Sequence, residues 1–298
     1  MLSMKIKFSL VLFCILLISS SIVKGQEDLL DMLGDEKPQL ERVTNAFKST
    51  RVIASHSIEH VAGGVLDFRI MHRFGTLNTG SYELFGLDQA TIRLGFDYGI
   101  TDRFTVGVGR SSLFKELDGF MKYRLLWQSK GAKNIPLSIN LVAGITMNML
   151  KWSEPDRKNY TSSRMGYYYQ MLFGRKFSEI FTLQLAPTFV HRNLVEKASD
   201  NHDIYSVEIG ARLKFTKRMA LTADYFLIFP GQLPDVNSNP LSLGLDIETG
   251  GHVFQLHFTN APAMNEKTFI TENTGKWSKG DIHLGFNISR VFTIVDKK

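Results

Sequence analysis

With 298 residues, one cysteine and a formal net charge of +6, the chain offers little room for thiol chemistry or a nucleic-acid surface. Cys14 lies in an N-terminal apolar run, and a chain without that run has no disulfide, thiolate metal site or cysteine nucleophile. Removing Lys5, Lys7 and Lys24 with it lowers the charge from +6 by three, to +3, and no Lys/Arg cluster remains to mark a nucleic-acid partner.

In chain order, Lys5 and Lys7 precede an apolar run from Phe8 to Ile18 broken only by Ser9, followed by Ser19, Ser20, Ser21 and Gly25. This is the layout of a secretory signal peptide over residues 1–25. The run is shorter than the roughly 20 residues of a spanning helix, and Phe13 before Cys14 argues against a lipoprotein site. No later run is long enough for a transmembrane helix. An exported chain is then soluble in the periplasm, secreted, or a β-barrel whose apolar residues alternate.

Residues 26–60 are polar and mixed. Glu27 to Leu33 predicts a short helix stopped by Gly34, and Pro38 to Phe47 a second, with Leu40, Val43 and Phe47 on one face. This segment is expected in the periplasm or as a plug in a lumen. From residue 61 to 298 the pattern is alternation. Ile92, Leu94, Phe96, Tyr98 and Ile100 share one face, and Thr91, Arg93, Gly95, Asp97 and Gly99 the other. Successive side chains of a strand point to opposite faces, so each such segment has one oily and one polar side.

About twelve segments read this way, near 65–74, 90–100, 104–111, 118–127, 137–148, 164–175, 181–192, 204–215, 219–228, 241–248, 252–259 and 281–292, most close to the roughly 9–11 residues of a tilted membrane strand. Short connections (Thr101-Asp102-Arg103, Phe177-Ser178-Glu179, Thr216-Lys217-Arg218, Thr249-Gly250-Gly251) alternate with longer ones at 75–89, 149–163, 193–203, 229–240 and 260–280. The expected fold is therefore all-β: a transmembrane antiparallel up-and-down barrel of about 12 strands, with short periplasmic turns and long extracellular loops. An even count puts both chain ends in the periplasm. Phe74, Tyr98, Phe104, Trp127, Tyr167, Phe181, Tyr205, Phe215 and Phe292 at strand ends predict two interfacial girdles, which a soluble all-β sandwich would not need. Pro187, inside a segment, predicts a bulge because proline donates no ladder hydrogen bond.

The polar faces gather a lumen charge network of Asp67, Arg69, Arg73, Arg93, Asp97, Asp118, Lys122, Arg124, Glu208, Arg212, Lys214, Asp224, Asp246 and Glu248. Turned to lipid, one mid-membrane Arg would cost roughly 2–4 kcal/mol, so these residues fix each strand's facing. Their signs nearly balance, which suits a salt-bridged lumen with a narrow aqueous path rather than an ion-selective pore. A second set, His72, Arg73, Arg110, Ser111, Asp118, His257, Asn260 and Asp281, is expected at the extracellular mouth as a solute or partner site. No catalytic, metal or cofactor set is expected. His202, Asp203 and Ser206 are hydrolase-type residues without supporting spacing, and His252 and His257 fall on opposite faces, a poor metal pair.

Several ordered motifs carry a resemblance. Gly64-Val65-Leu66-Asp67-Phe68-Arg69-Ile70, His72-Arg73-Phe74-Gly75, Gly86-Leu87-Asp88-Gln89-Ala90, Gly107-Val108-Gly109-Arg110-Ser111-Ser112, Asp246 to Leu256 and Gly285 to Arg290 resemble the β-barrel family called domain of unknown function 5777. Its members resemble outer-membrane proteins of Bacteroidota-type bacteria. The resemblance implies the barrel and a Gram-negative outer membrane, with surrounding lipid and the barrel-assembly machinery as partners, and brings no catalytic residues. The leading functional expectation is a narrow channel or facilitated-transport barrel for small hydrophilic solutes. The alternatives are a closed barrel docking a periplasmic or surface protein partner, and an outer-membrane hydrolase.

Overall fold

The computed structural model describes residues 38–249 and 252–296. The signal-peptide reading, the helix expected at Glu27–Leu33 and the Gly250-Gly251 turn lie outside them. Among the described residues no helix is long and apolar enough to cross a membrane.

A short strand β1 (Leu40–Arg42) pairs with β6 (Ser129–Gly131). The other twelve strands close into one barrel: β2 (Val65–Thr76), β3 (Ala90–Thr101), β4 (Phe104–Ser111), β5 (Leu117–Leu126), β7 (Ser138–Met147), β8 (Met165–Lys176), β9 (Phe181–Arg192), β10 (Asp203–Lys214), β11 (Met219–Ile228), β12 (Leu241–Thr249), β13 (His252–Thr259) and β14 (His283–Thr293). Each pairs antiparallel with its neighbours in sequence, β5 passing over to β7, and β14 pairs β2 to complete the ring. Closure leaves no row of unpaired backbone groups in hydrocarbon, which an open sheet could not avoid.

Alternation decides what each strand shows. Phe96 is 46% exposed and Val108 60%, whereas Arg93 on the opposite face is 1% exposed. The apolar faces look outward and the charges inward, the reverse of a soluble barrel. Strand bounds fall within two residues of those expected. Pro187 makes no bulge: Gln170 pairs Thr188 and Phe173 pairs Leu185 in one continuous register. Proline is accommodated by leaving the ladder unpaired locally. The register shifts occur instead near Gly99, Arg124 and His283.

The helix expected over Pro38–Phe47 is not formed. Residues 40–42 are a strand against β6, and Asn45 has φ 57°, a left-handed geometry that stops a helix. Trp127 is not a lipid-facing girdle residue. Its indole lies between the guanidinium groups of Arg42 and Arg124, at 4.8 and 3.8 Å, and donates to Val43 O at 2.8 Å.

Candidate functional site: a lumen filled from both ends

The buried core lies inside the barrel, where two segments that are not part of its wall pack against inward wall residues such as Phe120, Tyr168, Leu172 and Phe226. Phe47, Val52, Ile53, Ala54 and Ile58 come from the N-terminal side, and Ala261, Ala263, Met264, Phe269 and Ile270 from the long connection between β13 and β14. We call residues 46–61 the wedge and residues 260–276 the lid.

The wedge is a small hairpin. Val52 N–H donates to Ser55 O and Ser57 N–H to Thr50 O, both at 2.9 Å. So short a hairpin leaves most of its peptide groups unmatched, and burial makes unmatched groups costly. The wall supplies the partners. Asp224 on β11 accepts from the N–H groups of Ile53, Ala54 and Ser55 at 3.2, 2.8 and 3.3 Å. Gln255 on β13 donates to Val52 O, Asn287 on β14 to Ile53 O, and Gln184 on β9 to His56 O, at 2.7, 2.9 and 2.7 Å. Asn140 on β7 and Arg124 on β5 both donate to Ile58 O, and Lys122 on β5 donates to Glu59 O at 2.5 Å. Arg69 on β2 holds the hydroxyls of Ser49 and Thr50 at 2.6 Å each, and Glu208 on β10 accepts from Ser55 Oγ at 2.6 Å. The wall narrows where the wedge presses on it. A Cβ on Gly99 would stand 2.6 Å from Val61 O, and one on Gly174 2.6 Å from Ile58 Cγ2.

The lid turns into the barrel from the opposite end. Helix α1 (Glu266–Thr271) is capped by Asn265, whose side chain accepts from Thr268 N–H at 3.0 Å. Glu116, between β4 and β5, accepts from Asn265 Nδ2 and Thr268 Oγ1 at 2.6 Å each. Burial pushes its carboxyl above the ordinary glutamate value of 4.5. Arg73 donates to Ala261 O at 2.7 Å and also to Ala263 O, and Phe269 meets Phe226 edge-on with centroids 4.9 Å apart.

Wedge and lid meet at Arg51, whose Nη1 lies 2.5 Å from Glu266 Oε1 with both side chains almost fully buried. His56 Nε2 stands 3.5 Å from the same carboxylate and 3.3 Å from Tyr168 OH. Phe120 lies against the His56 ring at 4.4 Å and below the Arg51 guanidinium at 5.4 Å.

Of the expected lumen charges, Asp67, Arg69, Arg73, Arg93, Asp97, Asp118, Lys122, Arg124, Glu208, Arg212, Asp224 and Asp246 are buried and inward; Lys214 and Glu248 are half-buried at the periplasmic rim. Only some brace one another: Arg69 with Asp67 and Arg93 with Asp118, at 2.5 Å each, and more loosely Arg212 with Asp246 at 3.9 Å. Asp224, Glu208, Lys122 and Arg124 instead hold the wedge, and Arg73 the lid. The expected mouth set is not one cluster. His72 stacks on Phe286 at 4.8 Å on the outer face, and Arg110 is exposed and donates to Lys115 O at 2.6 Å. Parity places both on the lipid side. Ser111, Asp118, His257 and Asn260 are buried inside, Asp118 being committed to Arg93, while Asp281 accepts from Asn78 Nδ2 at 2.7 Å in an outer loop. His202, Asp203 and Ser206 diverge: His202 Nδ1 lies 2.6 Å from Arg192 O, Asp203 pairs with His191 at 2.6 Å, and Ser206 is buried on the inner face.

The residues missed from sequence are the neutral amides, Asn140, Gln184, Gln255 and Asn287, and the wedge residues they read. The available signal was an amide at an inward position of several strands. It is faint, because any polar side chain satisfies alternation.

A closed ring of membrane-length strands, oily outside and ionic inside, defines an outer-membrane β-barrel surrounded by lipid. The chain belongs to the family DUF5777, described as a membrane-bound β-barrel domain, whose model matches residues 47–292. The matched stretch begins at Phe47 and so takes in the wedge. Among solved structures, the chain is similar to the NanC porin at 7% identity and TM-score 0.49, over 77% of this chain and 100% of that one. It is also similar to the COG4313 outer membrane channel from Pseudomonas putida F1 at 15% identity and TM-score 0.48, over 79% and 98%. A third is the outer membrane protein Omp33 of Acinetobacter baumannii, at 8% identity and TM-score 0.41, over 76% and 97%. No curated protein matches the chain.

Proposed function

We propose that this protein is a gated channel for small hydrophilic solutes, closed in the state described by its own wedge and lid, and that it is not an enzyme. The observation that carries the reading is how the wedge is held. Much of its contact with the wall is hydrogen bonding of main-chain groups: Asp224 accepts from peptide N–H groups, and Gln184, Gln255, Asn287, Asn140 and Lys122 donate to carbonyl oxygens. Water replaces such bonds at small net cost when a segment withdraws, and leaves a polar lumen ready to be hydrated. The divergence of His202, Asp203 and Ser206 speaks against hydrolysis by that set.

Planar-bilayer recording tests this. Full-length protein should stay closed or nearly so, and a variant lacking residues 38–61, or carrying Arg51→Ala, should show discrete conductance steps. A second reading, a permanently closed barrel that docks a protein partner, draws on the buried Arg51–Glu266 pair that ties the two fillers together. Barrels that refold but never conduct in any of these forms would favour it and overturn the channel.

A further inference from the structure

Below the wedge, at the periplasmic end, the chain forms a cavity of about 490 Å³ between the stem of the N-terminal segment and the barrel rim. Six cationic side chains line it: Arg42, Lys48, Lys130, Lys176, Arg212 and Lys214. The two carboxylates in the lining are Glu41 and Glu179. Glu179 is taken by Lys176 at 2.8 Å, and Lys48 by Glu248 at 2.9 Å. Lys130 and Lys214 make no contact ion pair among the described residues, though both act on the Glu179 carboxylate from farther away, and the guanidinium of Arg42 rests on Trp127.

Arg212 sharpens the case. It is 4% exposed, its Nε has no hydrogen-bond partner among the described residues, and the Asp246 carboxylate stands 3.9 Å from it. A buried guanidinium N–H left without an acceptor is costly unless something completes it. Arg212 and Lys214 hang from the inner face of β10, alternating with the outward Ala211 and Leu213. The cavity therefore opens to the aqueous periplasm and not to lipid headgroups.

We propose that this cavity is a binding site for a small soluble polyanion bearing phosphate or carboxylate groups. Arg212 is its buried anchor, and Lys130 and Lys214 neutralise the remaining charge. Two oxygens of a carboxylate or phosphate group match a guanidinium bidentately, and the lysines act as point charges around it. An occupant would touch both the stem (Arg42, Lys48) and the wall (Lys176, Arg212, Lys214), and so clamp the wedge in place. This consequence, but not the site, rests on the gated-channel reading.

The test is calorimetric titration of the full-length protein in detergent with pyrophosphate, with citrate, and with uncharged glucose. Saturable binding of either anion, weakened by added salt and absent for glucose, is expected, and the better of the two identifies the preferred group. Lys130→Gln combined with Lys214→Gln, an exposed and a half-buried rim position, should weaken binding by about tenfold, or 1.4 kcal/mol. Arg212→Gln should weaken it further, and Lys214→Arg should retain it. Failure of both anions to bind more tightly than about 1 mM, or equal binding by the double variant, overturns the site. Because this readout involves no conductance, a missing site leaves the gate intact as a hypothesis, and a barrel that never opens leaves the site intact.

Discussion

Residues 46–61 and residues 260–276 occupy the same lumen, yet the wall grips them differently. The wedge is held in large part by its peptide groups, through side chains from strands on all sides of the barrel, with Ser49, Thr50 and Ser55 hydroxyls and apolar Phe47, Val52 and Ile58 adding side-chain contacts. The lid depends in good part on its own side chains: Asn265 and Thr268 on Glu116, and Phe269 on Phe226. A backbone grip is indifferent to the identity of the held residues and can be exchanged for water one bond at a time. A side-chain grip with an apolar seam is specific and cooperative. On the gated-channel proposal, the N-terminal segment is the part that leaves and the lid, tethered at both ends, the part that stays.

The strongest way to break this contrast is to cut the one ion pair that couples the two. Arg51→Ala leaves Glu266 buried without its cation and should destabilise wedge and lid together by about 3–5 kcal/mol. Heat-modified gel mobility and hydrogen exchange over both segments would read the loss; Glu266 exchange unchanged from wild type would show that the segments are independent. Phe269→Ala opens a hole against Phe226 and should cost about 3 kcal/mol, raising exchange over 264–271 while 52–59 stays protected. Equal loosening of the wedge would erase the distinction.

Asp224→Asn keeps an oxygen where Oδ2 accepts from three peptide N–H groups but removes the charge that strengthens those bonds. About 1–3 kcal/mol is expected, seen as faster exchange confined to residues 53–55, with lid exchange unaltered. The smallest effect is with pH. Glu116 has a raised pKa when the lid is docked, so docking is fully stabilised below 4.5 and weakens as pH rises through the raised value. Acrylamide quenching of Trp277, with the other two tryptophans replaced, should increase from acid to alkaline pH; a decrease would reverse the assigned sign.

Much of the barrel was legible in the residues. Arg93 and Asp97 alternating with Phe96 and Tyr98 have one arrangement that keeps charge out of hydrocarbon, and the lengths of the connections gave sidedness. The site was legible only in part. Inward facing could be read for Asp224 or Lys122, but not what each would hold. His72 and Arg110 face lipid by parity, yet their places near strand ends suit the mouth equally well in sequence. Trp127 reads as a membrane residue because an aromatic at a strand end has the same signature whether it meets lipid or a chain segment.

Sequence alone settled which side of every strand meets lipid, since a two-residue period is a local property and the membrane penalises any error in it. Only the tertiary structure decided that the polar side is occupied by the chain itself. The wedge carries no periodicity, and its partners are single inward residues scattered over most of the barrel strands, brought to one level only when the ring closes.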